Sequence, residues 1–297
     1  MDERQRRVGV VGAGNIGRPM AERLLTCGFD VLVCDLSADV RSHFVAARTA
    51  RYAREAAGED AVLLLVANDE QLEAAIAGPG GLIEGLAPHG PRPVVAIMST
   101  VAPDTVTRLA AEMARHDLRV IDAPVSGGAV RAADGRLTIM AGGDAGDIAA
   151  IRPVLDALAA TIHHCGALGQ GQTTKIINNM VGVTNLFLFS EAMDMAGRLG
   201  LDLGRLAVVM EQSSGRNAGT ADWVGRLKLY AAGTTSPEAT DALVKVTIKD
   251  LGHARELARK AGLATPILDA VAAAHSQTAS TDIFERWRHL VEQDETA

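Results

Sequence analysis

Aromatic residues are scarce, at 3% of the 297 residues. That is too few to build the stacking platforms on which single-stranded nucleic acids are held. A basic excess is lacking as well. The net charge of −7 disfavours non-specific binding of nucleic acid or of an anionic membrane surface, yet leaves room for a local basic pocket that takes a small acidic substrate. Cysteine is rare: Cys27, Cys34 and Cys165 occur without C-x-x-C spacing. Scattered thiols in odd number predict a reduced, cytoplasmic protein in which they serve as small buried hydrophobes. Long apolar runs are missing too. The longest, Ala61–Ala67, is far too short to span a bilayer. No signal-peptide core follows the charged stretch Met1–Arg7, so the reading is a soluble protein with no membrane partner. Nor is there a metal-ligand pattern. The pair His163-His164 would point to opposite faces of a strand, and no histidine or cysteine cluster supports zinc.

What remains is ordinary globular material. Hydrophobic residues make up 48% and charged residues 22%, which argues against disorder. The length fits one large or two ordinary domains. In the first half, short apolar runs at Val8–Val11, Val31–Cys34, Ala61–Val66, Val94–Met98 and Arg119–Ile121 read as strands. They alternate with amphipathic stretches such as Ile16–Leu25, the pattern of a parallel sheet covered on both faces. Leu137–Ala141 and Thr161–His164 read as further strands, flanking a helix predicted from about Asp147 to Ala160. After Gly171 the texture changes. Thr173–Gly200 has no proline and only two internal glycines, which predicts one long helix, about residues 172–199, acting as a spine between domains. Beyond it, Leu203–Gln212, Ala221–Ala231, Ser236–Lys260 and Pro266–His275 read as helices without strand-like alternation. Trp223 and Trp287 read as packing or interface residues.

The first strand runs straight into Gly12-Ala13-Gly14-Asn15-Ile16-Gly17, a G-x-G-x-x-G. The first glycine permits the tight turn, the second lets backbone approach a pyrophosphate, and the third lets the helix pack close to the strand. The helix N-terminus then offers N–H groups and a positive dipole end to phosphates. Strand before, helix after and a second strand following are the context this motif requires. The second strand ends in Asp35, placed to accept the ribose hydroxyls of adenosine and to repel a 2′-phosphate. Arg41 is the nearest cation, so NAD is favoured, with NADP possible. The fold class expected is a doubly wound α/β Rossmann-type N-terminal domain over residues 1–165. Residues 166–297 would form the long interdomain helix and an all-α domain that closes over substrate.

Three more segments are unusually particular. Asp122-Ala123-Pro124-Val125-Ser126-Gly127-Gly128 offers a small hydroxyl and backbone N–H groups that can nest an anion. Gly166-Ala167-Leu168-Gly169-Gln170-Gly171 opens the long helix, on which Lys175 and Asn179, four residues apart, share a face. Lys249-Asp250-Leu251 sits within a C-terminal helix.

With these segments in order, the sequence resembles the β-hydroxyacid dehydrogenase family, which includes 3-hydroxyisobutyrate dehydrogenases and tartronate semialdehyde reductases. The resemblance runs from Val8 to about Asp282. It rests on the glycine loop, on Asp122–Gly128, on Gly135-x-Leu137 with Met140-Ala141-Gly142-Gly143, on Gly169-x-Gly171-x-x-x-Lys175-x-x-x-Asn179, and on Lys249-Asp250. It implies hydride transfer between NAD(P) and a small β-hydroxy acid or its aldehyde or ketone. Lys175 would be the catalytic acid or base, and Asn179 would help hold the substrate. Ser126, Gly127 and Gly128 would bind its acid group, whether carboxylate, phosphonate or sulfonate. Gly12, Gly14, Asn15, Ile16, Gly17 and Asp35 would hold the cofactor, joined by Ala67-Asn68, by Ser99-Thr100 near the nicotinamide ribose, and by Lys249. The wording around Asp35 and Ala67-Asn68 is similar to the NAD-using, threonate-dehydrogenase-like branch. The chain departs from the family in two places. Ala242 and Leu243 stand where an aromatic residue is common, and His275–Asp282 lacks the usual glycines. Two alternatives stay open beside the dehydrogenase: an NAD(P)-binding scaffold or regulator without turnover, and an imine reductase-like enzyme, a group that typically lacks the lysine. A homodimer or homotetramer is expected, because the long helix carries few charges and needs more cover than one small domain supplies.

Overall fold

The apolar runs of the first half do form a sheet buried on both faces. The computed structural model describes residues 6–295. Among these, the strands are β1 (Arg7–Val11), β2 (Asp30–Cys34), β3 (Arg48–Ala50), β4 (Ala61–Leu64), β5 (Val94–Ile97), β6 (Arg119–Asp122), β7 (Val125–Ser126), β8 (Leu137–Gly142) and β9 (Ala159–Gly166). Their order is β3-β2-β1-β4-β5-β6-β8-β7, with β9 paired to β8. Pairing is parallel from β3 through to β6, while β8 runs antiparallel to β6 and β7. The order reverses between β1 and β4. That is the switch point at which an open α/β sheet leaves a crevice beyond the carboxyl ends of its strands.

The helices of this unit are α1 (Gly17–Thr26), α2 (Ala38–Ser42), α3 (Asp69–Ala77), α4 (Pro103–Ala114), α5 (Gly128–Ala133), α6 (Ala145–Ala150) and α7 (Arg152–Leu158). They bury the two sheet faces separately. Val8, Val10, Val31, Val33 and Leu63 pack with Met20 and Leu24 of α1 and Leu155 of α7. The alternate residues Val11, Leu32, Val62, Leu64 and Ile97 pack with Leu72 and Ile76 of α3 and Leu109 of α4. This two-sided burial is why the strands read as continuous apolar runs.

Three expectations need correction. The single helix predicted from Asp147 to Ala160 is two helices broken at Ile151, with Pro153 in the first turn of α7 and β9 already begun at Ala159. A proline ring removes the N–H needed to carry one helix across that point. The sheet gains β3, whose sequence Arg-Thr-Ala has no apolar run to announce it. Arg48 fixes that strand through ion pairs to Asp30 and to the buried Glu59. Of the cysteines only Cys34 is a buried hydrophobe, its thiol pushed up to about 12 by burial; Cys27 is exposed.

The second half is helical: α8 (Gln170–Arg198), α9 (Leu203–Glu211), α10 (Trp223–Gly233), α11 (Pro237–Lys260), α12 (Pro266–Gln277) and α13 (Ser280–Glu295). Asp202, Asp222 and Ser236 cap α9, α10 and α11 by accepting from the N–H groups of Arg205, Gly225 and Ala239, as short polar side chains do at helix starts. Phe187, Met193, Trp223, Tyr230, Leu251 and Trp287 belong to one core, so both tryptophans are packing residues. The chain divides into two compact units after Lys175, later than the sequence boundary near residue 165. The first turns of α8 stay with the sheet because buried side chains bond them to it. No helix among the described residues is long and apolar enough to cross a membrane.

Candidate active site

The turn after β1 is built as its glycines require. A Cβ on Gly17 would overlap the Gly12 carbonyl, whereas one on Gly14 would meet nothing within 4 Å. The third glycine is thus a packing necessity, and the second leaves backbone bare on the side where a pyrophosphate needs to approach. Helix α1 starts with no side-chain cap and no acidic residue in its first turn, so its dipole end is open to an anion. A cavity of about 490 Å³ lies against Ala13, Gly14, Asn15, Arg18, Asp39, Val40 and His43.

Asp35 faces this loop. One carboxylate oxygen accepts the Ala13 N–H at 2.9 Å and the other the Ser37 N–H at 2.9 Å. Each oxygen keeps a lone pair for a ribose hydroxyl. Arg41 donates through Nη1 to the carbonyls of Asp35 (2.6 Å) and Leu36 (3.0 Å), so that nitrogen is engaged with main chain. Bare Gly14 backbone, an open helix start and an acidic residue at the end of β2 fit an adenine dinucleotide.

Further loops leave the same edge of the sheet. Ala67-Asn68 follows β4, and Asn68 caps α3 by accepting the Gln71 N–H at 2.9 Å, while Gln71 accepts the Ala67 N–H at 3.0 Å. The Asn68 amide thereby has a structural task in addition to the cofactor contact expected of it. Ser99-Thr100 follows β5. After β6, Ser126 pairs in β7 with Thr138, and Gly127 and Gly128 take φ of 139° and 71°. That left-handed backbone favours glycine. A Cβ on Gly128 would meet nothing within 4 Å, so the turn presents backbone to open space.

Asp122 ends β6 and is fully buried. Its carboxylate accepts the N–H groups of Gly169 at 2.7 Å and Gln172 at 2.6 Å, at the start of α8. Burial pushes its pKa up, and the N–H groups of Gly169, Gln172 and Gly171 pull against that rise. Gly171 is demanded by the same junction, since a Cβ there would strike the Met140 carbonyl. Gln172, also fully buried, donates to the Ser99 carbonyl at 2.7 Å and accepts the Val101 N–H at 3.2 Å. Lys175, one turn further along α8, is 7% exposed. Asp122 and Gln172 were missed as site-forming residues, although both sit inside segments the sequence singles out.

In the helical unit, Asn179 Nδ2 donates to Asp250 Oδ2 at 2.6 Å. Asp250 is buried, and its other oxygen is 3.5 Å from Lys249 Nζ. The donor end of the Asn179 amide is therefore fixed by Asp250, which identifies a role for the second member of the Lys249-Asp250 pair. His275, where the family's glycines would lie, packs edge-on against Phe187 at 3.8 Å. Among the described residues no cluster of three or more histidine, cysteine or acidic side chains could hold a metal.

Comparison with known proteins agrees with this geometry. Residues 7–166 match the family described as the NAD binding domain of 6-phosphogluconate dehydrogenase, and residues 169–286 that described as NAD-binding of NADP-dependent 3-hydroxyisobutyrate dehydrogenase. The chain is 33% identical to the NAD-dependent L-serine dehydrogenase of Pseudomonas aeruginosa, over 88% of each chain. It is 34% identical to the L-threonate dehydrogenase of Cupriavidus necator, over 91% of this chain and 88% of that one. The crystal structure of 3-hydroxyisobutyrate dehydrogenase from Salmonella typhimurium superposes with a TM-score of 0.77 at 28% identity, covering 92% of this chain and 93% of the other. The chain belongs to the β-hydroxyacid dehydrogenase family, NAD(P)-dependent oxidoreductases that move hydride between the cofactor and a small hydroxy acid.

Proposed function

We propose that this chain oxidises a small β-hydroxy acid with NAD, using Lys175 as the acid–base group. The observation that carries the reading is the burial of Lys175 at 7% exposure, on a helix start bonded to the sheet. Lysines on helices ordinarily extend to solvent, and near-complete burial points to a task. Bound nicotinamide supplies the hydride acceptor. As the carbonyl forms, the hydroxyl proton has to leave, and Lys175 takes it. In the reverse direction the protonated amine stabilises the developing alkoxide. Ser126, Gly127 and Gly128 hold the acid group, because turned-out backbone N–H groups form a nest for carboxylate, phosphonate or sulfonate. Asn179 binds substrate and cannot accept the proton, so its loss acts on KM more than on kcat. Thr100, Ala67-Asn68 and Lys249 complete the cofactor contacts.

NAD is preferred over NADP, since a 2′-phosphate would meet the Asp35 carboxylate while Arg41 is engaged with the carbonyls of Asp35 and Leu36. Retention of Lys175 weighs against the imine reductase-like reading. The protein is a homodimer or homotetramer, a reading supported by the stripe Ile177, Val181, Leu188, Met195 and Leu199, all exposed along α8, which is more apolar surface than a lone helix comfortably shows to water. The free thiols fit a reducing cytoplasm. A screen of small hydroxy acids, L-serine, L-threonate and 3-hydroxyisobutyrate among them, with NAD or NADP tests the reading by NADH or NADPH formation. Turnover with at least one acid, and a higher kcat/KM with NAD, is expected. No turnover across the panel would remove the dehydrogenase reading, and a preference for NADP would remove the reading of Asp35.

A further inference from the structure

Two facts about Gln172 belong together. Its side chain reaches from the start of α8 to the turn after β5, with a sequence separation above 70 residues. Its main-chain N–H is held by Asp122 at the end of β6. One residue therefore joins three pieces of chain. The amide orientation is fixed by its partners: reversing it would set the amide oxygen against the Ser99 carbonyl and the NH2 against the Val101 N–H. Both partners flank Thr100, so the pair of bonds clamps a single residue from either side. Ser99 is further held by its own hydroxyl, which donates to the Leu64 carbonyl at 3.2 Å.

The turn lies where a dinucleotide would need it. In a doubly wound sheet each half binds one mononucleotide beyond the carboxyl ends of its strands. Gly12–Gly17 and Asp35 belong to the β1–β2 half. The turn after β5 belongs to the other half, together with β4 and β6, and so to the nicotinamide nucleotide.

We propose that Gln172 is a positioning residue: its side-chain amide holds the Ser99–Val101 turn, against which the nicotinamide nucleotide lies, in register with the helix turn that carries Lys175. Glutamine suits the task because it supplies one donor and one acceptor without charge at a fully buried position. Asparagine would be one methylene short. Methionine would fill the space and leave the Ser99 carbonyl and the Val101 N–H unpaired. Glutamate would set a carboxylate against the Ser99 carbonyl until it is protonated; its neutral acid form then offers an O–H to Ser99 and a carbonyl oxygen to Val101, reproducing the amide. The titratable groups facing this junction are Asp122, which holds the Gln172 N–H, Asp69, which accepts the N–H of Ala102 beside Val101, and Lys175 one turn along α8; all three are unchanged in every variant.

This inference rests on the dehydrogenase reading for its catalytic consequence, but binding alone tests it. Gln172→Met and Gln172→Glu would be compared with the unaltered protein by calorimetric titration with NADH and with ADP, alongside thermal melting. ADP lacks the nicotinamide nucleotide. Gln172→Met should bind ADP normally and NADH about fivefold more weakly, the worth of roughly one hydrogen bond. In any hydroxy-acid assay its kcat should fall about 10- to 100-fold, as misplacement on the ångström scale produces. Gln172→Glu should resemble Gln172→Met at neutral pH and recover NADH affinity relative to the unaltered protein as pH falls, whereas Gln172→Met should show no recovery. Unchanged NADH affinity in Gln172→Met would overturn the proposal. So would an equal loss of NADH and ADP binding with no acid recovery in Gln172→Glu, which would make Gln172 a fold residue only. If the unaltered protein turns over no hydroxy acid, the titrations still decide the role of Gln172, so the two failures are distinguishable.

Discussion

The start of α8 and the aromatic core of the helical unit treat buried polar groups in opposite ways. Around the start of α8, both oxygens of Asp122 accept N–H groups and both ends of the Gln172 amide are bonded. In the helical unit, Tyr230 Oη, Trp287 Nε1 and His275 Nδ1 are buried without hydrogen-bond partners among the described residues. They lie in or beside an aromatic cluster in which Tyr230 stacks on Trp287 at 4.9 Å and Phe187 contacts both Trp287 and His275. A fully paired group fixes geometry, and removing it orphans its partners. An unpaired group is already a cost to stability, so removing it can be neutral or favourable. The first arrangement fixes the turn of α8 that carries Lys175; the second only fills a core.

The strongest way to break this contrast is Asp122→Ala. It would leave the Gly169 and Gln172 N–H groups buried and unpaired, at about 1–3 kcal/mol each, offset in part by relief of the buried carboxylate. A net loss of roughly 3 kcal/mol in denaturant unfolding is expected, together with loss of turnover, because the helix turn bearing Lys175 is freed. Unchanged stability would show that the paired frame contributes nothing. In the helical unit, Tyr230→Phe should be neutral or stabilising by up to about 1 kcal/mol, since it deletes only a buried hydroxyl without a partner. A clear drop in melting temperature would reveal a bond that the contrast denies.

The smallest effect expected is one of pH. Burial pushes His275 below its ordinary value of 6.5, against a weaker upward pull from the Glu191 charge. Above 6.5 the ring is neutral in both folded and unfolded chains. As pH falls below 6.5 the unfolded chain takes up the proton first, so stability declines until the folded form is protonated too. Melting between neutral and mildly acidic pH should thus show a loss that His275→Leu reduces. An identical acid profile in that variant would clear His275 of the effect. Asp122 has the opposite sign. With its pKa raised on folding, the folded chain binds the proton first as pH falls, so this group does not drive acid unfolding.

The sequence was most legible where chemistry is local. The glycine loop, Asp35 after the second strand, and Lys175 with Asn179 one turn later are each proposed from a few neighbouring residues. Two-sided apolar runs revealed the sheet core for the same reason. Pairings that cross the chain stayed hidden. Asp122 read as part of an anion-binding loop, yet its carboxylate is turned toward Gly169, which no local spacing can encode. Gln172 is one of the three unspecified positions between Gly171 and Lys175, and nothing local shows that its amide bonds across the chain. Strand β3 escaped because an edge strand fixed by an arginine needs no hydrophobic pattern. Helix α13 also went unremarked, although Ile283, Trp287 and Leu290, all buried, follow helical spacing and were there to be found.

Lys175→Ala, measured for kcat on an accepted hydroxy acid and for NADH affinity on the same preparation, tests the central claim most directly. Removal of the acid–base group should lower kcat by roughly 10²–10⁴. NADH affinity should be unchanged, because on this account the glycine loop and Asp35 would hold the cofactor independently of the amine. Turnover close to that of the unaltered protein would contradict the account and require a different base.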